Sequence, residues 1–214
     1  MSASSPRNRS ALRRASAFLL AATALLAAGC PSAAKRASIP PAEETVLRER
    51  GDEKLLAAVR EGGSGTFAAI AVFRGDVFLV HAGKLEQSFI PVLDESGNAA
   101  ILLLSPGQVL PLLKDPSVLR LAWFGPQGRL ARLDPSLELD LLSRYGKGTE
   151  GKEAPLLVRF LDVPGDVEER FVALAGFRVV SRSGPTWVLS GPVSGLPRLL
   201  ESGRIVYIEK ASNP

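Results

Sequence analysis

One stretch of the sequence has the residue spacing of a phosphate-binding loop. Gly146–Lys152 reads Gly-Lys-Gly-Thr-Glu-Gly-Lys, which supplies the glycines and the lysine that would cradle a phosphate. The next residue is Glu153, where a Ser or Thr hydroxyl would be needed to bind Mg²⁺. Such a loop also joins a strand to a helix, whereas this one follows a predicted helix and precedes a predicted strand. We therefore interpret the stretch as a linker.

The chain offers few other groups for catalysis. His81 is the only histidine, so no second imidazole can complete a transition-metal site, and no Gly-x-Ser-x-Gly elbow occurs. Four carboxylates are close enough in sequence to suggest acid–base chemistry, but they fit the solvated first turn of a helix better: Asp162, Asp166, Glu168 and Glu169. We predict no catalytic residue, no metal and no cofactor. A polar pocket around His81 would favour an enzyme instead.

Cys30 is the only cysteine, and it follows a secretory signal. The uncharged run Ala15–Gly29 is rich in Leu and Ala and ends in small residues, as signal peptides do. Four arginines precede the run: Arg7, Arg9, Arg13 and Arg14. This pattern predicts cleavage between Gly29 and Cys30 and export by general secretion. A single cysteine also excludes an intramolecular disulfide.

Leu26–Cys30 (Leu-Ala-Ala-Gly-Cys) resembles the lipobox of bacterial lipoproteins, although Ala27 stands where Leu is usual. The resemblance implies that Cys30 becomes the lipidated N-terminus and moors the protein to a membrane of the cell envelope, facing the periplasm or the exterior. Two or three acyl chains, such as palmitate, make a durable anchor, whereas one would be marginal. No later apolar run reaches the 18 or so residues of a spanning helix.

The charge of the chain belongs mostly to the signal. Removing residues 1–29 lowers Lys+Arg from 26 to 22, which equals Asp+Glu at 22. A neutral mature chain has no electrostatic reason to bind nucleic acid, so a nucleic-acid partner is not expected.

Composition divides the chain into five parts. Proline and small residues mark the tether, and a glycine- and charge-rich stretch marks the boundary between two folded parts. The predicted parts are a signal peptide (1–29), the lipidated Cys and tether (30–41), an N-terminal α+β domain (42–145), a linker (146–154) and a C-terminal ferredoxin-like domain (155–214).

The predicted fold class is α+β, with two tandem small ferredoxin-like (βαββαβ) units that have antiparallel sheets, the first unit irregular. Asp52 is predicted to cap a helix, and Asp76–Ser88 is open between a strand over Val77–Val80 and a helix near its end. The first unit has predicted strands Phe67–Phe73, Phe89–Leu93, Ala99–Leu104, Val118–Phe124 and Arg129–Leu133. The second has Pro155–Leu161, Phe177–Arg182, Thr186–Ser190 and Arg204–Glu209.

The two halves also resemble each other in sequence, which indicates an internal repeat. Gly97–Leu102 aligns with Gly184–Leu189, and Phe73, Phe89 and Val118 meet Phe160, Phe177 and Ile205. In the following helices, four residues recur identically at an offset of 86: Pro106, Leu110, Pro111 and Leu113 align with Pro192, Leu196, Pro197 and Leu199. Chance similarity between two apolar strand–helix–strand units is the alternative, and the poorly helical Asp76–Ser88 favours it.

Pro155–Ser212 resembles the propeptide, or inhibitor, domain of subtilisin-like serine proteases. The motifs are Leu157–Phe160, Leu174–Phe177, Leu196–Leu200 and Ile205–Glu209, with Leu112–Val118 in the first half. The resemblance implies a ferredoxin-like fold that packs one face of its sheet on a protease and lays its C-terminal tail in the active site. This chain departs from the pattern because its sequence stops at Pro214 and no protease follows.

Strand alternation predicts a second, outer face on the C-terminal sheet. If Leu156, Val158 and Phe160 point toward the helices, Leu157, Arg159 and Leu161 point away. The other residues expected there are Arg178, Val180, Arg182, Ile205 and Tyr207. This mixture of apolar, aromatic and arginine side chains is typical of a contact surface. The alternative is that the two halves cover each other.

These observations lead to two functional expectations. The first is a non-catalytic, lipid-anchored envelope protein that works through protein–protein contacts, with another envelope protein as partner. The second is a stand-alone inhibitor or folding helper of a subtilisin-like protease.

Overall fold

Two four-stranded antiparallel sheets form the framework of the computed structural model, which describes residues 39–211. The predicted cleavage site at Gly29, the lipid site at Cys30 and most of the tether lie outside the described residues. Sheet one has the strand order β2-β3-β1-β4 and sheet two the order β6-β7-β5-β8. The strands are β1 (Phe67–Phe73), β2 (Val92–Ser96), β3 (Ala99–Leu104), β4 (Val118–Gly125), β5 (Glu153–Phe160), β6 (Arg178–Ser183), β7 (Thr186–Pro192) and β8 (Ile205–Lys210).

Helices connect the strands, which confirms the α+β class. They are α1 (Pro41–Arg50), α2 (Glu53–Glu61), α3 (Ala82–Gln87), α4 (Pro106–Lys114), α5 (Pro135–Lys147), α6 (Asp166–Leu174) and α7 (Leu196–Leu199). A π-helical turn (Val77–His81) leads into α3, and 3-10 turns precede α5 and α7. Asp52 caps α2 as predicted, because its carboxylate accepts a hydrogen bond from the Leu55 backbone N–H at 2.9 Å. Over residues 39–211, no helix has the length and apolarity needed to cross a bilayer.

Sheet one is buried on both faces, as its central strand β1 shows. All of its residues are buried, and alternate side chains enter two different hydrophobic clusters. Ala69, Ala71 and Phe73 pack against α1, α2 and α4, and we call this side the helix face. Ala68, Ile70 and Val72 point to the opposite side, which we call the outer face.

The open segment Asp76–Ser88 forms the π-helical turn followed by α3, and the predicted strands Phe89–Leu93 and Arg129–Leu133 are shifted and wrong, respectively. Val77–Val80 forms the π-helical turn because β1 already pairs with β3 and β4, which leaves no free edge beside it, and the Asp76 carboxylate caps the turn at the Leu79 N–H (3.0 Å). Phe89–Leu93 is mostly not extended: Phe89 has a φ of 53° and β2 begins only at Val92. Arg129–Leu133 lies largely in the 3-10 turn Gln127–Arg132.

The pairing register shows that the two sheets follow one plan. Ala69 pairs with Leu102 and Leu156 pairs with Leu189, so the two sheets are related by a constant offset of 87, the separation of Phe73 and Phe160. One hydrogen bond at the hairpin end of each sheet repeats at the same offset. The Phe73 and Phe160 N–H groups each donate to the residue after the hairpin glycine at 2.8 Å.

Even the irregularities of the sheets recur. In sheet one a bulge separates Val92 from Asp94, and in sheet two a bulge separates Val179 from Ser181, 87 positions later. A second bulge inserts Leu119 in β4, opposite Val72 and Phe73, and Val206 in β8, opposite Arg159 and Phe160, again 87 positions later. Bulges interrupt a ladder at specific places and are retained as features of a fold. Matching bulges in matching registers support the internal repeat.

The alignment of the helices needs two corrections. Phe89 meets Gly176 rather than Phe177, because both have positive φ, of 53° and 90°, at the end of α3 and α6. Ile90 is the counterpart of Phe177, since their N–H groups donate to Leu85 and Val172 at 3.0 and 3.1 Å. The α4 helix begins at Pro106 and contains Pro111, whereas α7 begins just before its proline, Pro197.

One hydrophobic cluster runs through both halves. It combines the outer face of sheet one with α5 and with the helix face of sheet two. Examples from the three parts are Ile70, Leu141 and Val158, each at most 1% exposed. A single isolated bridge also joins Leu133 to Ile208 of β8. The described residues therefore belong to one compact unit.

Candidate contact surface

Helix α5 covers the outer face of sheet one. It packs across β1, β2 and β3, and it contributes Leu137, Leu141, Leu142 and Tyr145 to the cluster that contains Ile70 and Ile101. The sequence supports this position because Asp134 caps the helix, Pro135 occupies its first turn and Gly148 ends it with a φ of 66°.

Charged groups fix the C-terminal end of α5 on sheet one. The Arg120 guanidinium of β4 lies 5.1 Å from the centre of the Tyr145 ring and pairs with Glu150 at 2.6 Å. Burial raises the pKa of the Tyr145 hydroxyl to about 12. Burial alone would raise the pKa of the Glu150 carboxyl, but the hydrogen bond from Arg120 lowers it. These contacts hold the C-terminal end of α5 against β4, at the edge of sheet one.

The corresponding face of sheet two is open. It carries a groove of about 570 Å³ on the side away from α6 and α7. Leu157 and Val188 occupy its middle, at the positions that Ile70 and Ile101 have in sheet one. The lining residues are Pro155, Leu157, Arg178, Val180, Ser181, Val188, Ser190, Glu209, Lys210 and Ala211. No element within residues 39–211 fills the position that α5 has on sheet one.

Five of the six predicted contact residues lie on this face. Leu157, Arg178 and Val180 line the groove, and Arg159 is exposed beside it, paired with Thr186 and Tyr207. The predicted inward direction of Leu156, Val158 and Phe160 is confirmed, since all three are buried in the shared cluster.

The predicted position of Arg182 on the outer face is wrong. The bulge at Val180–Ser181 breaks the alternation, so Arg182 pairs with the buried Trp187 and turns to the helix face. Its guanidinium lies 4.9 Å from the centre of the Trp187 ring and 2.5 Å from the carboxylate of Glu169 in α6. Arg182 therefore holds α6 to the sheet.

The second bulge changes one further assignment on β8, that of Ile205, and leaves Tyr207 on the outer face opposite Arg159. Ile205 was expected on the outer face, but it pairs with Phe160 and is 1% exposed, because Val206 is the additional residue of the bulge. Tyr207 is partly exposed, and its hydroxyl donates a hydrogen bond to Asp134 at 2.9 Å. This bond raises the pKa of Tyr207. Tyr207 thus already contacts the N-terminus of α5.

Sequence reasoning missed seven of the ten residues that line the groove. Val188 and Ser190 of β7 and Glu209 and Lys210 of β8 also line it. The register of β5 with its two neighbours would have placed them, since Leu157 pairs with Val188 and Glu209. The internal repeat contains the information needed for this register, because the residue pairs of sheet one recur in sheet two.

A second cavity, of about 170 Å³, lies beside His81. The His81 ring is buried, stacks on Phe73 with 4.8 Å between ring centres, and places Nε2 3.0 Å from the Arg74 carbonyl oxygen, to which an Nε2–H donates. At the mouth of the cavity Lys84 pairs with Asp115. Burial would raise the pKa of Asp115, but hydrogen bonds from Lys84 and Ser117 lower it to about 2. These contacts give His81 a structural role.

The carboxylates near α6 act in local structure. Glu168 accepts a hydrogen bond from the Gly165 N–H at 2.8 Å, which lowers its pKa, and lies 3.2 Å from Arg204. Asp162 pairs with Arg204 and Glu169 with Arg182. Within residues 39–211, no cluster of three or more His, Cys, Asp or Glu side chains could hold a metal ion.

The stretch Gly146–Lys152 joins helix α5 to strand β5, as predicted. The order of the flanking elements, helix and then strand, is the reverse of the order around a phosphate-binding loop. Gly146 allows a close approach to the β2–β3 hairpin, where the Asn98 side chain donates to the Gly146 carbonyl at 3.3 Å.

Comparisons with known proteins add no relative: no family model, no curated protein and no solved structure matches this chain.

Proposed function

We propose that this protein is a non-catalytic, lipid-anchored protein of the bacterial cell envelope that binds another protein through the outer face of sheet two. The observation that carries the proposal is the open groove at Leu157 and Val188, at the position where α5 covers sheet one. An apolar centre with arginine and a polar, solvent-accessible rim is the usual anatomy of a protein–protein interface. Arg178 and Glu209 provide that rim.

We further propose that each half is a ferredoxin-like unit. The strand order 2-3-1-4 within each sheet, with antiparallel neighbours, supports this assignment. In the first half, α1, α2 and α5 are additions to the unit.

The anchor rests on the sequence around Cys30. Acylation would hold the protein on the membrane, and the neutral mature chain would face the periplasm or the exterior. Growth with radiolabelled palmitate tests this directly: the chain should take up label, and Cys30→Ser should abolish both the label and membrane fractionation. Membrane fractionation unchanged by Cys30→Ser would refute the anchor.

The contact surface is tested with a photo-crosslinking amino acid placed at Val188 of the membrane-bound protein. We expect one discrete adduct with a protein of the envelope. The control is the same amino acid at Leu139, which is 47% exposed on α5, outside the groove. The same adducts from both positions, or none from Val188, would count against this surface.

A subtilisin-like protease is the alternative partner. The resemblance of Pro155–Ser212 to propeptide domains supports it, and in that family a sheet face packs on the enzyme. Incubation of the purified protein with such proteases should then give inhibition that Leu157→Glu weakens. Digestion without inhibition would remove this alternative.

A further inference from the structure

The π-helical turn before α3 exposes three consecutive large apolar side chains. Phe78, Leu79 and Val80 are 71%, 79% and 62% exposed. Runs of exposed apolar residues are avoided in soluble proteins unless they serve contact with a partner or a membrane.

The structure holds this turn firmly in place. Val77 and His81, at its two ends, are buried, and His81 is fixed by Phe73 and the Arg74 carbonyl. The Asp76 carboxylate caps the turn at the Leu79 N–H. The three apolar side chains therefore project from a defined backbone.

Two ion pairs connect this region with the start of the folded chain. Glu43, in the first turn of α1, pairs with Lys114 at 2.7 Å. The next residue, Asp115, pairs with Lys84 of α3, directly after the turn. The N-terminal end of α1 is therefore linked through Lys114 and Asp115 to the residues that follow the turn.

The tether is also short. Ten residues separate Cys30 from Pro41, and a fully extended chain of that length spans about 40 Å at most. A tethered group has a high effective concentration, so even a weak contact with the bilayer becomes populated.

We propose that Phe78, Leu79 and Val80 insert into the interfacial layer of the bilayer to which Cys30 is anchored. The proposal rests on the lipid anchor proposed above, and it gives the anchored protein a defined orientation. Arg74, exposed just before the turn, suits an anionic headgroup.

The test uses the lipoprotein reconstituted in vesicles of phosphatidylethanolamine and phosphatidylglycerol. With Cys30 acylated, an engineered cysteine is the only free thiol. A polarity-sensitive fluorophore is attached to Val80→Cys or to Val167→Cys, its counterpart in the second half, which is 75% exposed. Nitroxide groups on the acyl chains should quench the label at position 80 and leave the label at position 167 unaffected.

A second variant identifies the side chains that insert. Phe78→Ser with Leu79→Ser should abolish the quenching of the label at position 80. Equal quenching at both positions, no quenching at position 80, or quenching that survives the two serines would overturn the proposal. A label at position 80 that is shielded from aqueous iodide without lipid quenching would show contact with a second copy of the chain instead, and would overturn it too.

The anchor and the insertion can fail separately. If the wild-type chain reacts with the thiol probe, Cys30 is free and the anchor fails. The labelled variants are then measured in the Cys30→Ser background at high lipid concentration. Quenching at position 80 alone would support insertion, and its absence would exclude it.

Discussion

The two sheets share one backbone plan but differ on their outer faces. On sheet one, Ile70 and Val72 lie beneath α5, whereas Leu157 and Arg159 occupy the same positions on sheet two without a cover among the described residues. The covered face is apolar along β1, and its charged residues, Asp94 of β2 and Arg120 of β4, lie on the flanking strands. The open face replaces Val72 with an arginine and surrounds its apolar centre with charge. The side chains have thus adapted to different uses of one scaffold, burial in one half and exposure in the other.

The largest expected effect comes from truncating the covered face. Ile70→Ala should lower the free energy of unfolding by about 2–5 kcal/mol, because it leaves a cavity in a closed core. Leu157→Ala, at the matching position, should cost less than about 1 kcal/mol because its site is already partly open to water. Urea unfolding with unchanged m-values measures both. Similar losses would mean that the two faces are equally buried.

A second prediction compares Phe89 with Gly176, which end α3 and α6 with positive φ. Phe89→Gly should stabilise the protein by about 1 kcal/mol, since a left-handed conformation costs an L-residue roughly 1–2 kcal/mol and Phe89 is 87% exposed. Gly176→Ala should destabilise it by a similar amount. Thermal unfolding should show shifts of opposite sign, and shifts in the same direction would refute the equivalence.

The third prediction concerns pH and a charge that only the first half has. The pKa of Asp115 is lowered to about 2, and its counterpart at the offset of 87 is Ser202. The ionised carboxylate therefore stabilises the fold above the unfolded pKa of about 4, and this stabilisation disappears as the pH falls toward 2.

Asp115→Asn should cost on the order of 1 kcal/mol at pH 7, since solvent around Lys84 screens the pair. Unfolding free energies of both proteins between pH 7 and pH 2 should converge at the acid end. A difference that stays constant with pH would show that Asp115 acts through hydrogen bonds alone.

The smallest effect separates the two faces of sheet two. Arg182→Ala should cost about 1 kcal/mol because it removes contacts with Trp187 and Glu169. Arg159→Ala should change the stability very little, because its exposed side chain forms no ion pair with residues 39–211. Chemical unfolding under identical conditions measures the difference. Equal losses of unfolding free energy would mean that Arg182 lies on the outer face, contrary to this account.

The regular parts of the fold could be predicted from the sequence. The positions of side chains that depend on tertiary contacts could not. Period-two alternation placed Leu156 and Val158 correctly because β5 is regular there. It failed for Arg182 and Ile205 because bulges at Val180 and Val206 each insert one residue, and nothing in the composition of those strands marks the insertion.

The same limit applies to the candidate surface. An apolar run such as Val77–Val80 suits a strand, but both neighbours of β1 are already occupied, which only the assembled sheet reveals. The sequence indicated two outer faces and left open whether they covered each other. The sequence predicted a helix before Gly146, which is α5, but not the sheet on which that helix packs.

The most direct test of the account is the yield of the photo-adduct from Val188 in the Leu157→Glu protein. We predict that this variant keeps its free energy of unfolding within about 1 kcal/mol of wild type, as expected for a change at a partly exposed site, and loses the adduct. A stable variant that still forms the adduct would place the contact elsewhere. A variant that unfolds would show that the outer face of sheet two is part of the core.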